Sequence, residues 1–408
     1  MSEQPGPLFG VRVLDLSRVL AGPVATQLLG DLGADVLKVE RPGIGDDTRQ
    51  WGPPWARPAE EGEPGQSAYF LSANRNKRSL TIDISNPSGQ ALVRTLAAKC
   101  DIFVENFKVG DLARFRLDWN SLKDVLPRLI YCSISGFGQS GPYAAQPGYD
   151  FLVQGLGGVM SITGEPDGPP VKVGVAVADI VCGLYAAVSV LAALRQRESS
   201  GHGQHIDLGL FDTQVAWLAN QGLSYLTSGI VPRRLGNAHP SIVPYQVFPA
   251  SDGYFILCVG NDRQFRQFAE LAGVPELASD PRFVTNPQRV TNRSELIPLL
   301  EALTCRRPVG AWLAMLQPAG VPCGAVNDIA QVFTDPQVRH REMMVEMPDP
   351  AAADGVVRLI GNPIHGSAKP VVYRRPPPRL GEHTDEVLEE ILGLDEIERS
   401  RLRKMGVI

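Results

Sequence analysis

The chain has 408 residues, 44% apolar and 20% charged, with a formal net charge of -5 and a pI of about 5.8. This composition fits a globular protein with core enough for two domains and speaks against nucleic acid as a partner. Basic residues are dispersed, which argues against a membrane-surface role, and no window is expected to have the apolar length to cross a bilayer.

The opening "MSEQPGPLFG" has neither a basic region nor an apolar core, so the expected location is cytoplasmic with no secretory leader. "GVRVLDLS" (residues 10–17) reads as a buried strand, "AGPVATQLLGDLGA" as a helix with Pro23 in its first turn, and "DVLKVE" as a second strand. Residues 51–66 are rich in Pro, Gly and Glu and read as a surface excursion. "RSLTIDIS", "PSGQALVRTLAAKC", "DIFVENF" and "LIYCSIS" then continue the alternation of strand and helix. That alternation predicts an α/β fold with a parallel sheet, with ligands beyond the carboxyl ends of its strands. Near Thr227 the texture changes to strand and loop rich in Pro and Gly. Residues 227–332 are read as a second, smaller domain, with residues 1–226 before it and residues 333–408 as a tail ending in a helix.

Most single motifs are weak. "GFGQSG" (residues 136–141) fits a dinucleotide fingerprint in spacing, but Pro142 and a loop follow instead of a helix, so nicotinamide binding ranks behind a plain glycine turn. Cys100, Cys132, Cys182, Cys258, Cys305 and Cys323 lack CxxC pairs and read as reduced core residues. No histidine cluster suits a metal, and no GxSxG elbow is present.

The informative stretch is "VKVGVAVADIVCGLYAAVSVLAALRQR" (residues 171–197), a short extended run leading into a long apolar helix with Asp179 at its start. Local sequence favours Asp179 as a helix cap, because aspartate accepts orphan N–H groups there. The same position suits an ionised nucleophile at a strand-to-helix junction.

Several stretches decide between these readings: "VLDLSRVLAGPVATQLLGDLGADVLKVERPGIGDDTR", "NRNKRSLTIDI", "VENFKVGDLARF", "ISGFGQSGPYA", "YDFLVQGLGGVMSITG", "ADIVCGLYAA", "GVPCGAVND" and "LGEHTDEVL". In this order they span nearly the whole chain, and they resemble the class III coenzyme A transferases, most closely the succinyl-CoA:glutarate type. The resemblance implies a Rossmann-like large domain built from both ends of the chain, a small α+β domain, and a homodimer of interlocked chains. It implies no permanently bound cofactor, an acyl-CoA and a free carboxylic acid as substrates, and Asp179 as the nucleophile, passing through an aspartyl anhydride and an aspartyl-CoA thioester.

Residue by residue, the resemblance places Arg41 at the adenine, and Asn106, Phe107 and Lys108 along the nucleotide. It sets Arg114 at a phosphate, with Ile82, Asp83, Ser135, Gly136, Phe137 and Gly138 in the wall. Lys77 and Arg78 are further expected near a CoA phosphate. The related 2-methylacyl-CoA racemases carry "GHD" where this chain has "GYD" with Tyr149. A tyrosine, with an ordinary pKa near ~10, suits two-base proton exchange poorly, so transfer is favoured over racemisation. Formyl-CoA transferases carry glutamine at Leu20 and a glycine run where this chain has "GNAHPSIVPY", which makes formyl and oxalyl substrates poor candidates. A dicarboxylate or hydroxydicarboxylate acceptor would need a cation for its distal carboxylate, with Arg18, Arg49 and His239 as candidates. The alternatives are a racemase-like enzyme and a CoA-binding protein without transfer activity.

Overall fold

The computed structural model describes residues 6–60, 65–368 and 370–408. The described residues divide into two compact units. Those up to Gly158, Val173–Leu223 and Pro336–Ile408 form the first; Val159–Lys172 and Ser224–Asp335 form the second. The stretch Val159–Lys172, which sequence alone leaves in the first domain, thus belongs with the second unit.

The first unit is built on a six-stranded parallel sheet. Its strands are β1 (Arg12–Asp15), β2 (Asp35–Glu40), β3 (Lys77–Thr81), β4 (Ile102–Glu105), β5 (Ile130–Ser135) and β6 (His205–Gly209). Their order across the sheet is β3-β2-β1-β4-β5-β6. Val13 on β1 stands opposite Val36 on one side and Ile102 on the other. The apolar runs in β1, β2 and β4 are near-continuous because both faces of the sheet are covered. On one face Val13, Val36, Ile102 and Ile130 pack under Ala25 and Leu29 of helix α1 (Ala21–Asp31) and under Ala178, Cys182, Ala186 and Val190 of the Val177–Ser200 helix. On the other face Leu14, Leu37 and Phe103 meet Leu92 and Leu96 of the Pro87–Ala97 helix, together with Val387 and Leu388 from the end of the chain. Full burial of each such side chain stabilises by about 1.5–3 kcal/mol. The Pro87–Ala97 helix begins where Asn86 accepts the Ser88 N–H at 2.9 Å, with Pro87 placed where its missing N–H costs nothing. The strand order reverses between β1 and β4, and the crevice beyond their carboxyl ends is where such a sheet binds ligands.

The Val177–Ser200 helix corrects one expectation. By length and composition it is long and apolar enough to cross a membrane, because its charged residues lie near its two ends. In the fold it is a core helix, buried along one side from Val177 to Ala193. Gly183 permits its close crossing over α1: a Cβ there would sit 2.6 Å from the Ala21 carbonyl oxygen.

The second unit is α+β. Strands β7 (Tyr245–Ala250), β8 (Gly253–Cys258) and β9 (Cys323–Ala325) pair antiparallel. Phe248, Phe255 and Leu257 pack against Phe265, Phe268, Leu296, Leu300 and Trp312 from its helices.

Candidate active site

A groove of about 450 Å³ opens beyond the carboxyl ends of β1 to β4. It brings together Arg18, Arg41, Ile82, Asp83, Phe107 and Arg114, six residues that sequence assigned to the CoA or substrate side. Arg41 is exposed and has no side-chain partner among the described residues. Arg114 is 67% exposed and, among the described residues, forms an ion pair with Asp111 alone, its guanidinium lying 5.5 Å from the Phe115 ring centre. Both are therefore available to an anion. Arg18 pairs with exposed Asp47 at 2.9 Å and lies 5.6 Å from the Phe107 ring centre.

Beneath the groove is a buried ionic layer. Lys38 pairs with Asp46 at 2.9 Å and Lys77 with Asp15 at 3.2 Å, all four side chains fully buried. Burial would raise Asp46, but Lys38 and the Thr48 hydroxyl and N–H outweigh it and hold this carboxyl at about 2. Burial pushes the Lys77 amine down to about 8 despite Asp15.

Ion pairs here and at the sheet's edge take up three residues that sequence assigned to substrate groups. Lys77 is sealed between Asp15, the Pro23 carbonyl and Asn74, and cannot reach a phosphate. Arg78 is spent on Asp35, Glu386 and Glu390. Arg49 is clamped by Glu40 and the Pro378 carbonyl and stacked 3.7 Å over Phe70, so it is no free cation for a substrate carboxylate. Charges that look solvated in sequence are thus spent on partners near along the chain, as Arg49 on Glu40, or far along it, as Arg78 on Glu386 and Glu390.

Asn106 also has a different task. Its side chain accepts the Arg18 N–H and donates to the Arg18 carbonyl, at 2.9 and 2.7 Å. The next residue, Val19, adopts φ +70 and donates its N–H to Asp46. A β-branched residue in that region costs about 1–3 kcal/mol and persists only where its neighbours enforce it. Here Asn106 and Asp46 enforce it, and the chain enters α1 with the Leu20 and Ala21 N–H groups unpartnered among the described residues. Leu20 itself is buried as the N-cap residue. Lys108 is exposed beside Phe107 and does not line the groove.

Residues 135–138 do not line the groove either. The Ser135 hydroxyl accepts the Gly138 N–H, Phe137 packs against Tyr143 and Phe211, and Gly136 lies against Gly148. The turn therefore supports the "GYD" stretch. Tyr149 is 66% exposed. His239 belongs to the second unit; its Nδ1 accepts the Ser241 N–H, and Arg293 donates to the carbonyls of His239 and Pro240. The loop after "GNA" is thus pinned from behind.

Asp179 lies in the first turn of the Val177–Ser200 helix, three residues beyond the N-cap residue Ala176, and caps nothing. It is 9% exposed and accepts no hydrogen bond among the described residues. Burial first, then the nearby charge of Asp150, push its carboxyl up to about 7. Tyr69 stands in the same field: burial, then Asp179, Asp150 and Asp46, push its phenol up to about 12. The Trp51 ring meets Tyr69 edge-on at 5.1 Å. Sequence reasoning missed Tyr69, Asp150 and Trp51. Asp150 was within view, one residue after Tyr149, while Tyr69 and Trp51 have no local signal. A buried carboxylate without a cation among the described residues, in the field of an undissociated phenol, is suited to nucleophilic acyl chemistry.

The family model for CoA-transferase family III matches residues 8–384. The chain belongs to CoA-transferase family III. It is an enzyme that transfers CoA, and such enzymes take a CoA thioester as substrate. It is 49% identical over 401 residues to a succinate–glutarate CoA-transferase of Agrobacterium fabrum, covering 98% of each chain. It is 42% identical to the human succinyl-CoA:glutarate CoA-transferase, covering 98% of this chain and 90% of that one. A crystal structure of a CaiB/BaiF family protein from Brucella suis superposes with a TM-score of 0.85 at 48% identity, covering 95% of this chain and all of the other.

Proposed function

We propose that the enzyme moves CoA from succinyl-CoA to a C4–C6 dicarboxylate, with Asp179 as the covalent relay. The observation that carries this reading is the Asp179 carboxyl itself, buried at a helix start and, among the described residues, unbonded and unpaired. The names of the relatives, succinate–glutarate and succinyl-CoA:glutarate transferases, support the substrate pair.

In this reading an Asp179 oxygen attacks the donor thioester carbonyl, the C–S bond breaks, and CoA leaves as thiolate, giving a mixed anhydride. The thiolate attacks the Asp179 carbonyl carbon and expels the donor as free carboxylate, leaving an aspartyl-CoA thioester. The acceptor carboxylate then attacks that carbon and displaces the thiolate. Thiolate attack on the acceptor's acyl carbon releases the new thioester and restores Asp179. No net proton and no oxidant is needed, and the thioester's energy is kept. Each tetrahedral oxyanion requires donors, and the Leu20 and Ala21 N–H groups at the start of α1 supply them. Arg41 and Arg114 hold the nucleotide phosphates, and Arg18 takes the distal carboxylate in exchange for Asp47. We place the enzyme in the cytoplasm as a homodimer. Exposed Phe151, Leu156, Leu184, Tyr185, Val188 and Trp217 in the first unit favour the dimer.

The test is to incubate the protein with succinyl-CoA and each C4–C6 diacid and follow the thioesters by chromatography. Borohydride quenching and intact mass measurement should place reduction on Asp179, absent in Asp179→Ala. No exchange with any diacid would refute the substrate class; exchange undiminished in Asp179→Ala would refute the relay.

A further inference from the structure

The first turn of the Val177–Ser200 helix obtains its side-chain acceptor from elsewhere. Its N-cap residue, Ala176, offers none. Asp150, in the first turn of the Asp150–Leu156 helix, accepts the Ala178 N–H on Oδ1 at 2.8 Å. Its Oδ2 accepts from Gln154 Nε2 at 2.7 Å, and fully buried Gln154 accepts the Val173 N–H at 2.8 Å. One carboxylate and one amide thus fix both the segment entering the helix and the helix start. Asp179, the very next residue after Ala178, is left with no bond among the described residues.

An aspartate in a helix's first turn ordinarily gives its oxygens to the free N–H groups there, which stabilises the anion and blunts it as a nucleophile. We propose that Asp150 is a positioning residue for CoA transfer: it occupies the donor at the helix start so that the Asp179 carboxylate keeps its lone pairs for the acyl carbon. This rests on Asp179 being the acyl acceptor. The charge of Asp150 adds a second effect. The titratable groups that share the field of Asp179 are Asp150, Tyr69 and Cys182, with Asp46 acting on Tyr69 and Asp212 on Cys182. None is a cation, and Asp150 is the charge that acts on Asp179 directly. Asp150 therefore delays ionisation of the nucleophile while keeping it unbonded.

The test is the pH profile of kcat/KM for succinyl-CoA in Asp150→Asn, Asp150→Ser and Asp150→Ala. Asn and Ser retain an acceptor for the Ala178 N–H and lose the charge. The acid limb, expected near pH 7 in the wild type, should move at least about half a pH unit lower in both, with kcat at pH 8.5 within about threefold. In Asp150→Ala the free N–H recaptures Asp179: the limb moves lower and kcat falls about tenfold or more at every pH, with KM for succinyl-CoA nearly unchanged. An acid limb left in place in Asp150→Asn and Asp150→Ser overturns the proposal. So does loss of the native circular dichroism in both, which would make Asp150 a folding residue. Full activity in Asp179→Asn would instead bring down the relay reading beneath it, so the two failures are distinct.

Discussion

Two sets of buried carboxylates lie in the first unit, and they are treated in opposite ways. Asp15, Glu40 and Asp46, at the ends of β1 and β2 and just beyond, each face a lysine or arginine and several hydroxyl or N–H donors. Asp179 has neither cation nor donor among the described residues, and its only close charge is another carboxylate. The outcome is a carboxyl at about 2 in Asp46 and one at about 7 in Asp179. A buried acid that is fully paired builds the floor of a site. One left unpaired carries a standing cost, which the fold tolerates where reactivity is needed.

Three experiments sharpen or break this contrast. Removing one partner of a paired set should cost most: Lys77→Met leaves Asp15 with a deficit of positive charge in a dry site, and unfolding in guanidinium should show a loss of about 3–5 kcal/mol. A loss below about 1 kcal/mol would mean that the layer is wet and the contrast false. Removing the unpaired acid should do the reverse. Raising an aspartate from 3.8 to about 7 costs the charged form up to about 4 kcal/mol, so Asp179→Asn should be more stable than the wild type at pH 8 by up to that amount. Because the folded state binds the proton more tightly, the wild type loses this stability as pH rises from about 4 through 7. The gain in Asp179→Asn should therefore be small at pH 4 and level off above pH 7. Equal stabilities at pH 8 would show that Asp179 is solvated or paired. The smallest effect belongs to the groove. Arg114→Ala should raise KM for succinyl-CoA roughly tenfold with kcat unchanged, as expected for one lost charge-assisted contact worth about 1.5–3 kcal/mol. A fall in kcat with KM unchanged would assign Arg114 to the chemistry instead of to the nucleotide.

Much of this was legible along the chain. The strand–helix alternation from residue 10 to residue 135 foretells a parallel sheet, because period and burial are local properties of apolar spacing. The continuous match of motifs to one enzyme family singles out Asp179, and the groove gathers Arg18, Arg41, Ile82, Asp83, Phe107 and Arg114. Sequence alone misjudged the charges that find partners across the fold. Lys77 and Arg78 look like phosphate ligands and Arg49 like a free cation for a substrate carboxylate, yet their partners include Asp15, 62 residues away, Glu386 and Glu390, more than 300 residues away, and, for Arg49, Glu40 and the Pro378 carbonyl. Asp179 looks like a cap because the rule for caps is local, and only tertiary structure brings Asp150 from 28 residues back to take the N–H group first. Residue type and spacing settle which elements form, since those energies act over a few neighbours. Whether a given charge is spent or left free depends on which distant residues the packed sheet and helices set within a hydrogen bond's reach, and that is decided only when the chain has folded.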